Sequence, residues 1–375
     1  MIAFQIAGRL GTRKGRSQRI HELELATLLS LLSVSSTLVT ASAFENLSLR
    51  QTHAASSVVL PEGCHADAYP ITIQQDGKTY VACSIYSPEQ RLTKAQLEKQ
   101  AAASLTSENL MPTPILWVAY EPRNSTYDLA LSRNLTPAEN SKIQSLVPGK
   151  FNAEILKIQL TASVCDTWTA PPTGVCDTVH NGGGSLGWRA KQLVCPFGCF
   201  FIYGGTTYSH GSVAKGDTVF QPDASRSYGT VGGAVCSNGV DASWFYLNSG
   251  QSQMNNSMFQ GGPAFGDWTG GFVSGLLLKQ IGRGSVNLGT YTLYSAESAS
   301  TCGTSGTDWF AKWYSGSQSA GGDSGSGVGV GATQGGSNGA LRCGIEWGIT
   351  TRDGVLTIIM SQWSNVQSAL GIQSY

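Results

Sequence analysis

The feature that most limits how this chain can fold is a change in residue usage near position 165. Of the 46 glycines, 39 lie in 181–375, and eight of the nine tryptophans lie beyond Cys165. There, helix signals vanish and short β-branched or aromatic runs alternate with Gly, Ser and Asn turns. Examples are Cys199-Phe-Phe-Ile-Tyr, Thr218-Val-Phe, Trp244-Phe-Tyr-Leu, Gly289-Thr-Tyr-Thr-Leu-Tyr and Thr357-Ile-Ile-Met. That spacing predicts an all-β barrel or sandwich over 166–375. One helix is expected to close the chain from Ser361, with Trp363, Val366 and Leu370 at helical spacing.

Residues 44–165 are mixed. Lys78-Thr-Tyr-Val-Ala-Cys-Ser-Ile-Tyr and Pro114-Ile-Leu-Trp-Val-Ala-Tyr read as strands. Two helices are expected behind capping boxes, Thr93-x-x-Gln96 and Thr136-Pro137-x-Glu139, the second with Pro at its first position. This predicts a small α+β module ahead of the β region.

The first 43 residues differ again. Arg9, Arg13, Lys14, Arg16 and Arg19 precede the run Leu25-Ala-Thr-Leu-Leu-Ser-Leu-Leu-Ser-Val, which leads to Ala41-Ser-Ala43. A basic stretch, an apolar core and a small-x-small ending predict a secretory signal peptide over 1–43. The run is diluted by Ser and Thr, so no permanent membrane anchor is expected once it is removed. Net charge is zero, which excludes a basic nucleic-acid footprint over the chain. Nine cysteines suit an oxidising, extracellular or periplasmic destination. Cys64 with Cys83 and Cys165 with Cys176 are the obvious local pairs, and the odd count leaves one over. Four Asn-x-Ser/Thr sequons (Asn46, Asn124, Asn134, Asn255) matter only in a host that glycosylates them.

Within a Gly/Ser stretch stands Gly321-Gly322-Asp323-Ser324-Gly325-Ser326. A nucleophilic serine needs a tight turn that exposes its hydroxyl, and flanking glycines that let a carbonyl approach backbone N–H groups. It also needs a base. Of five histidines, His21 lies in the signal and His53 and His65 precede the β region, leaving His180 and His210. His210 ends the strand-like run from Phe200. Asp241 opens the apolar strand Asp241-Ala-Ser-Trp-Phe, where an unpaired carboxylate would be costly to bury.

The order His210, Asp241, Ser324 on an all-β region resembles the chymotrypsin-like (trypsin-fold) serine peptidases. Gly322-Asp-Ser-Gly-Ser326 is similar to the family's Gly-Asp-Ser-Gly-Gly, Thr207-Tyr-Ser-His210-Gly to its Thr-Ala-x-His-Cys, and Asp241-Ala-Ser-Trp-Phe to its Asp-x-Ala-hydrophobic segment. The spacings resemble the short secreted bacterial branch that includes streptogrisins and α-lytic protease. Ile281-Gly-Arg283-Gly-Ser-Val-Asn-Leu-Gly289-Thr and the closing helix match that branch too. The chain departs from the family at Gly211 and Ala320, where cysteines are usual, and at Ser326.

The resemblance implies a two-barrel protease domain and a secreted serine endopeptidase made as a zymogen. It further implies a triad of His210, Asp241 and Ser324, an oxyanion hole from the N–H groups of Gly322 and Ser324, and a structural Asp323. By the family's layout Gln318 and Ser319 form the base of the substrate pocket, with a wall at Glu346-Trp347-Gly348; no acidic residue falls where a trypsin-like pocket has one. The layout also implies a pro-region over 44–165, against which stands a permanent accessory domain. Expected partners are protein or peptide substrates, with no nucleic acid, no cofactor, no metal and a monomeric state.

Three other readings compete. Cys176, His180, Cys195 and Cys199 are four possible zinc ligands. Trp309 and Trp313 suit a secreted β-rich adhesin whose aromatics stack on sugars. The same fold without catalysis is the third.

Overall fold

The computed structural model describes residues 59–375, apart from 66, 161–162, 165–173, 178–181, 222–225, 250, 252–253, 259 and 300–305. The expected signal segment, His53, His180 and Cys165 lie outside the described residues, and with Cys165 the expected pairing to Cys176.

The N-terminal region runs β1 (Tyr69–Gln75), β2 (Lys78–Ser84), α1 (Pro88–Ser107), β3 (Ile115–Glu121), β4 (Thr126–Leu131), α2 (Pro137–Leu146) and β5 (Lys150–Ile155). α2 begins where its capping box predicts, with Thr136 Oγ1 accepting from Glu139 N. α1 begins earlier than expected. Ser87 is its N-cap: Ser87 Oγ accepts from Gln90 N, Gln90 Oε1 accepts from Ser87 N, and Pro88 takes the first turn. A second serviceable box upstream, with Pro already holding helical φ, outcompetes Thr93. β3, β4 and β5 form a three-stranded sheet whose core, Leu105, Ile115, Tyr127, Leu129 and Ile143, is shared with the two helices.

The β region begins with β6 (Gln159–Leu160), β7 (Ser163–Val164), β8 (Gly174–Asp177), β9 (Gly182–Ser185), β10 (Arg189–Val194), β11 (Phe200–Thr207), β12 (Thr218–Phe220), β13 (Ser227–Ser237) and β14 (Val240–Leu247). It continues with β15 (Ser257–Met258), β16 (Gly262–Asp267), β17 (Leu277–Gln280), β18 (Gly289–Ser298), β19 (Thr307–Gly316), β20 (Gly327–Gln334), β21 (Ser337–Arg352), β22 (Val355–Gln362) and α3 (Trp363–Leu370). β7 to β14 make an eight-stranded antiparallel sheet in the order β10-β11-β14-β13-β12-β8-β9-β7. In the second sheet β17, β18, β19, β22, β21 and β20 pair in sequence, and β20 pairs back to β17, so six strands close into a ring. The ring closes through the β17–β20 pairing, which covers Val328–Val330 and leaves the rest of that side of β20 to another strand. α3 buries Trp363, Val366 and Leu370 against Trp188, Val240 and Trp244, so it ties the first sheet to the end of the second. The architecture is all-β with a closing helix, preceded by an α+β region, as the sequence implies.

One boundary differs from a simple division at residue 165. The hairpin β1–β2 is not part of the three-stranded sheet; β2 pairs with β20 in the second β sheet. Trp309 is buried in that sheet's core with Trp313 packed against it, so Trp309 offers no sugar platform. Cys64–Cys83 and Cys195–Cys199 are disulfides, Cys236 is also disulfide-bonded, and Cys343 is a buried free thiol. Pairing of Cys195 with Cys199 takes two of the four donors from the zinc set. No helix among the described residues is long and apolar enough to cross a membrane.

Candidate active site

β11 and β14 are antiparallel neighbours, registered Thr207 opposite Ser243. Continuing that register brings Ser209 and His210 beside Asp241. Ser209 N and His210 N both donate to Asp241 Oδ1, at 3.0 and 2.7 Å, and His210 Nδ1 lies 2.8 Å from Oδ2. Asp241 is 2% exposed, so these three donors supply what water would otherwise give its charge. Ser361 Oγ accepts from Asp241 N at 2.8 Å and fixes the backbone behind it.

His210 Nε2 faces Ser324 Oγ at 2.8 Å. In the tautomer that gives Nδ1–H to the carboxylate, Nε2 carries the lone pair and can accept a hydrogen bond from the serine hydroxyl. Trp347 O, at 3.0 Å, is a second acceptor for the same hydroxyl. The three residues that the sequence singled out thus form one continuous chain of contacts across the two sheets. His210 holds φ +50° and Gly211 φ +68°. The left-handed turn at Gly211 favours glycine, which gives a physical reason for the residue found there; the strained φ of His210 is held by its backbone bond to Asp241.

Asp323 does not face the site. Its carboxylate accepts from Ala320 N, Gly284 N and Ser285 N, at 3.0, 2.6 and 3.0 Å, and so clamps the 282–285 turn to the loop that carries Ser324. Burial pushes its pKa up while those backbone bonds oppose the shift. Ser185, unremarkable in a Gly-rich run, is a residue that sequence reasoning missed. Its N–H donates to Ser324 O at 2.8 Å, its hydroxyl donates to Gly322 O at 2.7 Å, and that hydroxyl accepts from Arg283 N. Only its three-dimensional neighbours reveal it.

Of the expected pocket residues, Gln318 is exposed, while Ser319, Glu346, Trp347 and Gly348 are buried. Glu346 turns its carboxylate onto the hydroxyls of Ser319 and Ser326, which places an acid beside the expected pocket base. Trp347 Nε1 donates to Asp308, whose pKa burial raises to about 7. Ser324 is 0% exposed. β6 lies along β21 antiparallel, with Leu160 opposite Gly348, one residue beyond Trp347. A Cβ at Gly348 would sit 3.0 Å from Gln159 O, so glycine admits this close approach.

The sequence matches no protein-family model and no curated protein. Solved structures similar to the chain include Thermobifida fusca Protease A, at 18% identity and TM-score 0.38 over 55% of this chain and 97% of that one. Cellulomonas bogoriensis chymotrypsin follows at 16% and 0.38, over 55% and 98%. A glutamic acid specific serine protease gives 15% and 0.40, over 54% and 98%.

Proposed function

We propose that the chain is a secreted serine endopeptidase, made as an inactive precursor. The observation that carries this reading is the unbroken Asp241–His210–Ser324 contact chain, with both ring nitrogens at 2.8 Å from their partners. His210 takes the Ser324 proton as Oγ attacks a peptide carbonyl, and Asp241 holds the tautomer and stabilises the imidazolium. The N–H groups of Gly322 and Ser324 receive the developing oxyanion; a donor of this kind contributes about 100- to 1,000-fold in rate. His210 then protonates the leaving amine, and water releases the acyl group by the reverse steps.

Gln318, Ser319 and the Glu346–Gly348 segment are the proposed substrate pocket, with peptide or protein as substrate. Precursor inactivity is supported by the burial of Ser324 and by β6 lying on β21 beside it. Export is supported by the leader-like first 43 residues and by the disulfides. Hydrolysis of a peptide library by processed protein tests the proposal. The expected result is turnover abolished in Ser324→Ala and lowered by roughly 10⁴-fold in Asp241→Asn. A processed, folded chain without turnover, or Ser324→Ala retaining it, would leave an inactive protease-like fold.

A further inference from the structure

The N-terminal hairpin completes the six-stranded ring. β20 pairs with β21 along its whole length, but on its other side β17 reaches only Val328–Val330. The remaining stretch is taken by β2, through Val81 opposite Thr333 and Ala82 opposite Ala332. Ser84 bridges to Leu276, and Ile85 N donates to Gly275 O at 2.8 Å, so β2 ends against the start of β17. The side chains follow the backbone. Ile71, Ile73, Tyr80 and Ala82 are buried in one cluster with Leu278, Val330, Ala332 and Leu341. Lys279, a buried cation of β17, has the carboxylate of Glu62 at 4.0 Å.

A second seat lies behind the three-stranded sheet. Trp117, Ala119 and Ala130 pack on Tyr294, the Tyr294 hydroxyl donates to Asp128, and Lys312 Nζ bridges Asp128 and Asp353 at 2.8 and 2.9 Å. The Arg352 guanidinium stacks 4.4 Å from the Trp117 ring. Removing residues 59–155 would uncover an apolar core face and buried charges together, and would open a strand edge.

We infer that residues 59–155 are a standing part of the folded molecule: when the chain is cut between β6 and β8, the N-terminal piece stays bound as a second chain. The cysteines of that piece, Cys64 and Cys83, pair with each other. The bond between the two chains is therefore noncovalent.

The test uses the Ser324→Ala chain, which is unable to cut itself, with a site-specific protease sequence inserted between Leu160 and Ser163. Its outcome is therefore independent of the peptidase reading. After cutting, the two pieces are expected to co-elute in gel filtration at the mass of the intact chain and to separate in non-reducing denaturing electrophoresis. Tyr80→Glu, which puts a charge into the shared cluster, is expected to weaken the association of the cut pieces by roughly tenfold or more. If that chain does not fold, Ile73→Ala gives the same direction with a smaller effect. Pieces that separate in native buffer, with the C-terminal one a folded monomer, would overturn the inference. So would association untouched by substitutions in the hairpin.

Discussion

Single atoms of backbone hold the reactive groups in place. Gly184 packs so closely that a Cβ there would lie 2.3 Å from the Tyr208 ring and 2.6 Å from Ser324 O. Gly184→Ala should therefore displace the nucleophile loop and the strand leading to His210. The expected outcome is a fall in kcat of about 100-fold, in line with misplacement by about 1 Å, with a smaller change in melting temperature; unchanged kcat would contradict this. Far from that site, Asp128 illustrates a different balance. Burial raises its pKa from 3.8 to about 6, against the pull of Lys312. A carboxylate whose folded pKa is raised adds stability below its unfolded pKa, and loses it as pH climbs through the folded one. A shift of that size is worth about 3 kcal/mol. Between about pH 4 and 7, the stability of wild type relative to Asp128→Asn should drop by an amount of that order, read from melting curves at each pH. A difference independent of pH would remove the argument.

Elements were legible in the sequence where the signal was local. The strands at 78–84 and 115–121, the Thr136 cap and the closing helix needed only alternation, a capping box or a 3.6-residue stripe. The start of α1 was misread because two capping patterns stand six residues apart. Pairings between distant segments left no local trace: nothing in Lys78–Ser84 marks β20 as its partner, since an alternating strand fits any apolar sheet edge. The meeting of His210, Asp241 and Ser324 was anticipated because each sits in a short local motif that carries the family resemblance. Ser185 and Ser361 act through hydrogen bonds to backbone, which any serine can make. At this scale β6 is the element to perturb. Proline has no N–H for a ladder, so Leu160→Pro in the full-length chain should loosen the strand over β21. Its Ser324 should then label faster with a fluorophosphonate than that of the unaltered chain; equal rates would show that β6 does not cover the nucleophile.

At the level of the whole molecule, two β sheets meet at the contacts among His210, Asp241 and Ser324, and a segment from the N-terminal side pairs with one of them. His210 and Asp241 come from the first sheet, while Ser324 and Trp347 belong to the turns and strands of the second. The geometry of the site therefore depends on how α3 and the shared core hold the sheets together. The same N-terminal region that contributes β2 to the second sheet also leads into β6, so one stretch of chain pairs with both β20 and β21. If Ser324 is an activated nucleophile, it reacts covalently with an electrophilic phosphonyl group. Intact-mass analysis of the processed protein after reaction with a fluorophosphonate, beside Ser324→Ala and His210→Ala, reads this out. The expected result is one adduct per molecule, mapped to Ser324, absent in the first variant and strongly reduced in the second; folded, processed protein that takes no adduct would show that Ser324 is not activated.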